Sequence, residues 1–278
     1  MRNESDTFDI GGDLTVHRLG YGAMRVTGDG VLGSPPDEAA SIDLLQSLPD
    51  LGVDFVDTAD SYGPGVSERL LCESGLVDAA VVATKAGLLR DYRTGDWLAH
   101  CEPAYLRNQA MVSRDRLGVD SIDLYQLHTV DDDVPLEDSV HALAELRDDG
   151  LIDHVGLSNV TVEQLDRARD IVEIATVQNR YNVGYRADED VLRACESYGI
   201  GFIPWYPIGA GDLGGVTGID AVAEAHDASR QQIALAWLLA HSPVTLPIPG
   251  TNDPDHLREN VAASAIDLTD EDMTRLAG

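Results

Sequence analysis

The stretch Val81-Val82-Ala83-Thr84-Lys85 is a short run of small and β-branched residues that ends in a charged side chain. A run of this length and composition is typical of a strand buried on both faces. Similar runs recur along the chain and alternate with longer amphipathic segments, which is the order of a parallel sheet with crossover helices. The predicted strands are 19–24, 55–58, 81–85, 122–128, 154–158, 176–179, 201–205 and 244–248.

Eight strand-and-helix units in 278 residues predict a closed (β/α)₈ TIM barrel rather than an open sheet. Helical patterns cover 106–117, 136–146, 162–172, 189–198 and 230–241. No linker or short repeat interrupts the chain, so we expect one domain over residues 1–278.

A β-hairpin is predicted ahead of the first barrel strand. The segment from Phe8 to Val16 turns on Gly11-Gly12, a pair that suits a tight two-residue turn. Because this segment precedes the barrel, we expect the hairpin at the barrel floor.

A glycine-rich motif offers a competing fold. Residues 209–214, Gly-Ala-Gly-Asp-Leu-Gly, match the G-x-G-x-x-G pattern of an open dinucleotide-binding sheet. That fold places an acid at the end of the next strand, but the next predicted strand carries Pro247, is followed by Pro249 and has no acid. The barrel is therefore favoured. A glycine-rich loop on its upper rim can still approach a pyrophosphate, because glycine leaves room for the backbone.

The chain is strongly acidic, with 49 Asp and Glu against 19 Lys and Arg, a net charge of −30 and a pI of about 4.3. A hydrophobic content of 44% excludes a disordered acidic tail. Such a charge repels itself unless salt screens it, which predicts a halophilic protein that works in molar salt. The charge also argues against nucleic acid or an anionic membrane as a partner.

Cysteine usage and the absence of a signal core predict a soluble, cytoplasmic protein. Cys72, Cys101 and Cys195 are odd in number and lack C-x-x-C spacing, which favours free thiols in a reducing compartment. Residues 1–6 have no apolar core, and the apolar helical stretch 233–240 is too short to span a bilayer.

Lys85 is the only lysine in the chain. Lysine, unlike arginine, can share or give up its proton when it is desolvated, so its place at the end of a buried strand predicts a chemical use for its amine. The alternative is a chance survivor whose stem packs along apolar surface while its head reaches water.

Polar side chains also end the neighbouring strands. Side chains alternate between the two faces of a strand, so each polar residue shares a face with apolar residues of its own strand. Asp57 shares a face with Val53 and Phe55, Lys85 with Val81 and Ala83, and His128 with Ile122 and Leu124. If the faces line a barrel, a carboxylate, an amine and an imidazole meet at its top, where barrel enzymes carry out their chemistry. Tyr62 lies in the loop above them.

This set resembles the catalytic tetrad of the aldo-keto reductases, and the resemblance covers almost the whole chain. The matching motifs follow one another at successive strand ends: Gly20-Tyr21-Gly22, Asp57-Thr58-Ala59 with Tyr62-Gly63, Thr84-Lys85, Asp123-Leu124-Tyr125-Gln126-Leu127-His128, Gly156-Leu157-Ser158-Asn159, Gln178-Asn179-Arg180-Tyr181-Asn182, Pro204-Trp205-Tyr206-Pro207, Ile248-Pro249-Gly250-Thr251 and Glu259-Asn260. The family fold is the barrel that the strand count predicts.

The resemblance implies direct hydride transfer between NADP(H) and a small carbonyl substrate. Tyr62 would be the general acid, and the Lys85 ammonium would lower the pKa of its phenol from the ordinary value near 10. Asp57 would hold the ammonium, and His128 would position the carbonyl oxygen.

Each of these residues also has a structural interpretation. Asp57 could cap a turn, and Tyr62 and His128 could be half-buried residues with satisfied polar tips. The coincidence of four such residues at strand ends favours catalysis. A metal site is disfavoured, because no second His or Cys lies at ligand spacing from His128 and residues 131–133 suit a solvated acidic loop.

The resemblance further implies a cofactor site. Ser158, Asn159 and Gln178 match residues that bind the nicotinamide carboxamide, and Trp205 matches the aromatic residue, more often tyrosine, that stacks on the ring. The remaining implied contacts are Tyr206, Pro207 and Ile208 over the pyrophosphate, and Gly250, Thr251, His256, Glu259 and Asn260 around the adenosine end.

Two departures from the family pattern affect the choice of cofactor. Gly250 stands where several members have a lysine for the 2′-phosphate, and His256 stands where many have an arginine. Asp253 and Asp255 add negative charge nearby. We therefore expect NADP as the cofactor, with NAD not strongly excluded.

The substrate side is less specific. Met24 and Thr129 match positions that line the substrate pocket of the family. Two other functions stay open: a cofactor-binding regulatory subunit of the same fold with slow turnover, and an unrelated barrel lyase or isomerase. Turnover of a nicotinamide with a panel of aldehydes separates them.

Overall fold

The computed structural model describes residues 2–211 and 213–277, and only the backbone of residue 210. Its centre is a parallel sheet in which the described strands follow the order β11-β10-β9-β8-β5-β4-β3. The strands are β1 (Thr7–Ile10), β2 (Leu14–His17), β3 (Tyr21–Gly22), β4 (Phe55–Asp57), β5 (Val81–Ala86), β6 (Leu88–Arg90), β7 (Trp97–Ala99), β8 (Ile122–Leu127), β9 (Ile152–Ser158), β10 (Ile174–Gln178) and β11 (Gly201–Phe202).

The predicted eighth strand is not a regular strand, although residues 244–248 bond to both edges of the sheet. At β11, Phe202 N donates to Val244 O and Leu246 N donates to Phe202 O, both at 2.8 Å, and at the other edge Gly20 N donates to Pro247 O at 2.9 Å. Proline has no N–H to give to a ladder, which explains the irregular backbone beside Pro247 and Pro249. The sheet is therefore barrel-like, with seven strands and one irregular segment between its edges.

The predicted N-terminal hairpin is present as β1 and β2, paired from Thr7↔His17 to Ile10↔Leu14. Ile10 and Val16 are fully buried and pack in one cluster with the inward residues of the sheet. Those inward residues are Phe55, Ala83, Leu124, Ala175, Ile203, Leu246 and Ile248. The hairpin thus fills the amino-terminal end of the sheet interior and leaves the carboxyl end open.

Helices cover the outside of the sheet, and five of them were not predicted. The helices are α1 (Glu38–Gln46), α2 (Val66–Ser74), α3 (Pro103–Leu117), α4 (Leu136–Asp148), α5 (Val162–Arg169), α6 (Glu189–Tyr198), α7 (Ile219–Ala225), α8 (Arg230–His241), α9 (Pro254–Ala262) and α10 (Asp270–Leu276). The unpredicted ones are α1, α2, α7, α9 and α10, each of nine residues or fewer. A short helix shows too few turns for its period to stand out from the sequence.

An antiparallel hairpin of β6 and β7 follows β5 and was not predicted either. Its register pairs Leu88 with Ala99 and Arg90 with Trp97. In the described part of the chain, no helix combines the length and apolar character needed to cross a bilayer.

Candidate active site

A cleft of about 430 Å³ opens at the carboxyl ends of the strands. It is lined by Gly22, Met24, Arg25, Asp57, Tyr62, Leu88, Trp97, His128, Ser158, Asn159, Gln178, Trp205, Tyr206, Pro207, Ile208, Ile248, Pro249 and Gly250. Because parallel strands all end at this rim, residues that are far apart in sequence meet here.

Lys85 and Asp57 form a buried ion pair at the bottom of this cleft. Lys85 Nζ donates to Asp57 Oδ1 at 2.6 Å and to Thr58 O at 2.7 Å, and the two side chains are 0% and 2% exposed. The other carboxylate oxygen, Oδ2, accepts from Gln178 Nε2 at 2.8 Å and from Gln126 Nε2 at 3.2 Å. Both oxygens of the carboxylate are therefore paired, which compensates for the loss of water around a buried charge.

Tyr62 sits above this pair in the loop after β4, with its ring centroid 5.3 Å from Lys85 Nζ. Burial raises the pKa of Tyr62 above its ordinary value, while the Lys85 ammonium lowers it and Asp57 raises it. The net direction is opposite to the lowering expected from the sequence, because desolvation of the phenolate outweighs the attraction of the ammonium.

Lys85 itself keeps its proton. Burial alone lowers the pKa of Lys85, but the attraction of Asp57 and Tyr62 outweighs it, so that the net pKa is raised. The amine therefore stays an ammonium over the ordinary pH range and faces the phenol as a positive charge.

His128 completes the cluster from the residue after β8. Its ring centroid lies 5.9 Å from that of Tyr62, at an interplanar angle of 76°. Burial, together with the nearby Lys85 charge, lowers the pKa of His128 well below its ordinary value. The imidazole is therefore neutral and can donate a hydrogen bond without carrying a charge.

One wall of the cleft is a hydrogen-bonded group of four residues: Ser158, Asn159, Gln178 and Trp205. Ser158 Oγ donates to Gln178 O at 2.8 Å, Asn159 Nδ2 donates to His128 O at 3.0 Å, and Trp205 Nε1 donates to Asn159 Oδ1 at 3.0 Å. Asn159 has a positive φ of 58°, a conformation that asparagine tolerates better than most residues. The structure thus brings all four nicotinamide-side residues expected from the resemblance together.

Only some of the residues expected near the pyrophosphate and the adenosine line the cleft. Tyr206, Pro207, Ile208 and Gly250 line the cleft, as does Met24 on the substrate side. Thr251, His256, Glu259, Asn260 and Thr129 are not among its lining residues. Asp212, within the glycine-rich motif, lies outside the described residues.

Local hydrogen bonds explain part of this division. Thr251 Oγ1 accepts from Asp253 N at 3.0 Å. The Asp253 carboxylate accepts from Asp255 N at 2.7 Å and from His256 N at 3.2 Å, which caps the start of α9. These donors at the start of α9 are therefore engaged within the protein.

Several lining or supporting residues were missed from the sequence, among them Trp97, Gln126 and Arg25. Trp97 lies 6.2 Å from the Tyr62 ring and 6.3 Å from the His128 ring, and the Arg90 guanidinium stacks on it at 3.8 Å. Gln126 shares the inward face with His128, two residues along β8, so alternation alone could have identified it. No pattern pointed to Trp97, because its hairpin falls between predicted elements.

Arg25 is another of the missed residues. It is exposed on a 3₁₀ helix, Ala23–Val26, whose neighbours Ala23 and Val26 are buried. Among the described lining residues, Arg25 is the only Arg or Lys. Unlike Arg69 or Arg258, it makes no ion pair with a residue that the structure describes.

The backbone beside Arg25 explains the glycine at position 250. A Cβ on Gly250 would lie 2.5 Å from Gly22 O and 3.6 Å from Arg25 Cγ. Two loops therefore meet backbone to backbone, and a side chain at position 250 would force them apart. The Arg25 stem would only be in van der Waals contact with that Cβ, so the clash is with the backbone at Gly22.

Within residues 2–211 and 213–277, no three His, Cys, Asp or Glu side chains lie close enough together to bind one metal ion.

Comparisons with known proteins point to one family. A family model described as "Aldo/keto reductase family" matches residues 18–278. The chain is 48% identical over 269 residues to an uncharacterised oxidoreductase of Schizosaccharomyces pombe, covering 95% of this chain and 87% of that protein. It is 39% identical over 282 residues to pyridoxine 4-dehydrogenase of Escherichia coli, covering 99% and 98%.

Solved structures of similar proteins have the same fold. An aldo-keto reductase of Klebsiella pneumoniae in complex with NADPH superposes with a TM-score of 0.83 at 26% identity, covering 98% of this chain and 94% of that one. A glycerol dehydrogenase of Gluconobacter oxydans gives a TM-score of 0.86, with the same identity and coverage.

Proposed function

The chain belongs to the aldo/keto reductase family and is an oxidoreductase, and we propose that it transfers hydride between NADP(H) and an aldehyde or ketone, with Tyr62 as the proton donor. The observation that carries this proposal is the buried Asp57–Lys85 pair, with Nζ 2.6 Å from Oδ1, directly below a phenol and a neutral imidazole at the cleft. A buried ion pair adds little stability over apolar side chains of similar volume, because both charges must leave water, so its presence at the cleft favours a chemical role.

The side chains divide the reaction between them. A nicotinamide bound in the cleft would supply or accept the hydride. His128, neutral because of its burial, donates a hydrogen bond to the carbonyl oxygen and directs it toward Tyr62. Tyr62 gives its proton to that oxygen as charge develops there. Lys85 stabilises the phenolate that forms, and Asp57 keeps Lys85 protonated and oriented.

The wall that is hydrogen-bonded to Asp57 and His128 suits a nicotinamide. The Gln178 amide is oriented by its bond to Asp57, which turns its Nε2 inward, and Ser158 and Asn159 add polar atoms at the same level. The indole of Trp205 is fixed by its bond to Asn159 and offers an aromatic face. These residues would hold the carboxamide and the ring.

The phosphates of the cofactor need a cation, and we propose that Arg25 provides it. The position of Arg25 is fixed by its short helix, its guanidinium has no carboxylate partner among the described residues, and it lines the cleft beside Gly22 and Gly250. In a protein of net charge −30, a local cation also offsets the repulsion of an anionic ligand.

The substrate class follows from the remaining lining residues. Met24, Leu88, Trp97 and the Tyr62 ring make a largely apolar, aromatic entrance. The E. coli relative is named pyridoxine 4-dehydrogenase. We therefore propose small aromatic aldehydes, with pyridoxal as the first candidate.

Turnover tests this function. NADPH oxidation is followed in about molar KCl with pyridoxal, benzaldehyde and a short aliphatic aldehyde. We expect turnover with the aromatic aldehydes and its loss in Tyr62→Phe. NADPH binding without turnover of any carbonyl would favour the regulatory subunit, although the relatives named above are described as oxidoreductases, dehydrogenases or reductases. The family match already excludes the unrelated barrel lyase or isomerase that the sequence left open.

A further inference from the structure

Ser61 and His128 face each other beneath the cleft. Ser61 Oγ lies 3.5 Å from His128 Nδ1, and the two residues are only 3% and 8% exposed. Within residues 2–211 and 213–277, neither the hydroxyl nor the imidazole ring has another hydrogen-bond partner. The two buried groups therefore depend on each other.

We propose that the Ser61 hydroxyl donates to His128 Nδ1 and so holds the imidazole in the tautomer that carries its hydrogen on Nε2. Ser61 is then a positioning residue, which acts on the substrate only through His128. This inference rests on the proposed role of His128 in orienting a carbonyl oxygen.

Counting donors and acceptors favours this arrangement. If Ser61 donates to Nδ1, the serine hydrogen is used, and Nε2 is the N–H that remains for a ligand in the cleft. If Nδ1 instead donated to Ser61 Oγ, the serine hydrogen would have no acceptor among the described residues. The lone pair of Nε2 would then meet the lone pairs of a carbonyl oxygen. In the second arrangement, therefore, the serine hydroxyl lacks an acceptor and Nε2 cannot donate to the carbonyl oxygen.

The doubly protonated ring is also disfavoured. His128 is buried beside the Lys85 ammonium, and both effects lower its pKa. The choice is therefore between two neutral tautomers, which differ only in where the single hydrogen lies.

The backbone fixes both partners on the same strand. Asp60 N donates to Lys85 O at 3.0 Å, and His128 N donates to Ala86 O at 2.8 Å, so both segments are anchored on β5. The loop is closed by Tyr62 N, which donates to Ala59 O at 3.1 Å. The contact of 3.5 Å is long for a hydrogen bond, and catalytic hydrogen bonds often tighten when ligand binds.

The tautomer can be read directly by nitrogen NMR. In the wild-type protein without substrate, long-range ¹H–¹⁵N spectra of the histidines should show an unprotonated Nδ1 and a protonated Nε2 for His128, assigned by loss of its signals in His128→Gln. A wild-type His128 with the hydrogen on Nδ1 overturns the proposal without any Ser61 variant.

Variants connect the tautomer to the reaction. In Ser61→Ala, the His128 signals should report a mixture of tautomers, and kcat/KM for carbonyl reduction should fall about tenfold, with the Kd of NADPH unchanged. Ser61→Thr keeps the hydroxyl and should restore both the spectrum and the rate. Ser113→Ala is the matched control, because it removes a buried hydroxyl that has no partner and lies on α3, away from the cleft.

Two results separate the hypotheses. Wild-type spectra and wild-type kcat/KM in Ser61→Ala would overturn the role of Ser61 and leave the proposed function standing. A wild-type protein that binds NADPH but reduces no carbonyl overturns the proposed function, whereas the NMR measurement still decides the tautomer.

Discussion

Lys85 Nζ lies 2.6 Å from Asp57 Oδ1, and neither side chain is more than 2% exposed. The charge of the carboxylate is further compensated, because it also accepts from Gln126 and Gln178. Such a pair is costly to form and costly to break from one side.

Replacing Lys85 by methionine should therefore abolish activity and weaken the fold. The Asp57 charge would keep its two glutamine donors but lose its counter-charge, and we expect a loss of roughly 3 kcal/mol in the free energy of unfolding. Urea unfolding and steady-state kinetics measure the two effects. Arg258→Met, which breaks an exposed pair with Asp255, should leave both nearly unchanged. Full activity in Lys85→Met would remove the lysine from the mechanism.

Tyr62→Phe should lower kcat for carbonyl reduction by about a hundredfold or more, with little change in the Kd of NADPH. The hydroxyl acts mainly in the transition state, so its loss affects rate rather than binding. Tyr92→Phe removes a hydroxyl from an 81% exposed ring and is the control.

Because burial raises the pKa of Tyr62, the proton donor should persist through pH 9 in the wild type. A variant with a tenth or more of the wild-type turnover would contradict the acid role.

Asp60→Asn should stabilise the protein at pH 8 more than at pH 5. Burial, reinforced by the neighbouring Glu68, raises the pKa of Asp60 to about 7, although Tyr105 and Gln109 donate to it. In the unfolded chain the pKa is near 3.9. Because the pKa of Asp60 is higher in the folded protein than in the unfolded chain, protonated Asp60 stabilises the folded state fully below the unfolded pKa. This stabilisation is lost as the pH rises to about 7.

The neutral amide should remove that loss, and the expected difference is of the order of a few kcal/mol. Urea unfolding of both proteins at the two pH values, at constant salt, measures it. An equal effect of the substitution at pH 5 and pH 8 would mean that Asp60 is ionised throughout.

Arg25→Met should weaken NADPH binding at least tenfold, because the described cleft lining offers no other Arg or Lys to the cofactor phosphates. Fluorescence titration with NADPH and NADH also locates the contact. A larger loss for NADPH assigns Arg25 to the 2′-phosphate, and equal losses assign it to the pyrophosphate. Arg107→Met changes the charge by the same amount at an exposed pair with Glu145, outside the cleft lining, and serves as the control. If the two variants bind both dinucleotides equally well, Arg25 is not a phosphate ligand.

Stability should rise steeply with salt. At a net charge of −30, the acidic residues repel one another, and the screening length falls from about 10 Å at 0.1 M salt to about 3 Å at 1 M. We expect Tm to increase by roughly 10 °C or more between 0.1 M and 2 M KCl. Sucrose at matched osmolarity should produce a smaller increase, since it does not screen charge. Equal increases in the two solutes would indicate solute exclusion instead.

The meeting of three polar strand ends and most of the sheet could be predicted from the sequence because they depend on local pattern. A strand with a period of two fixes which residues share a face, so Asp57, Lys85 and His128 could be placed together from their spacing in three runs. The hairpin around Gly11-Gly12 was likewise predictable from its turn residues.

Other features depend on distances that the sequence does not contain. The segment around Pro247 pairs with two distant edges and never becomes a strand, and Trp97 reaches the cleft only through an unpredicted hairpin. The Thr251 and His256 positions match a motif but do not line the cleft. The Thr251 hydroxyl accepts from Asp253 N, and the backbone N of His256 donates to the Asp253 carboxylate at the start of α9.

The sequence by itself determined the order of the elements and the residues at the strand ends, because periodicity and turn chemistry act over a few neighbours. Only the tertiary structure decided whether the pKa of Tyr62 is raised or lowered, and which group lies beside the His128 ring. Both depend on how completely water is excluded from a site and on which groups remain within hydrogen-bonding distance, and the packing of the whole chain sets these conditions.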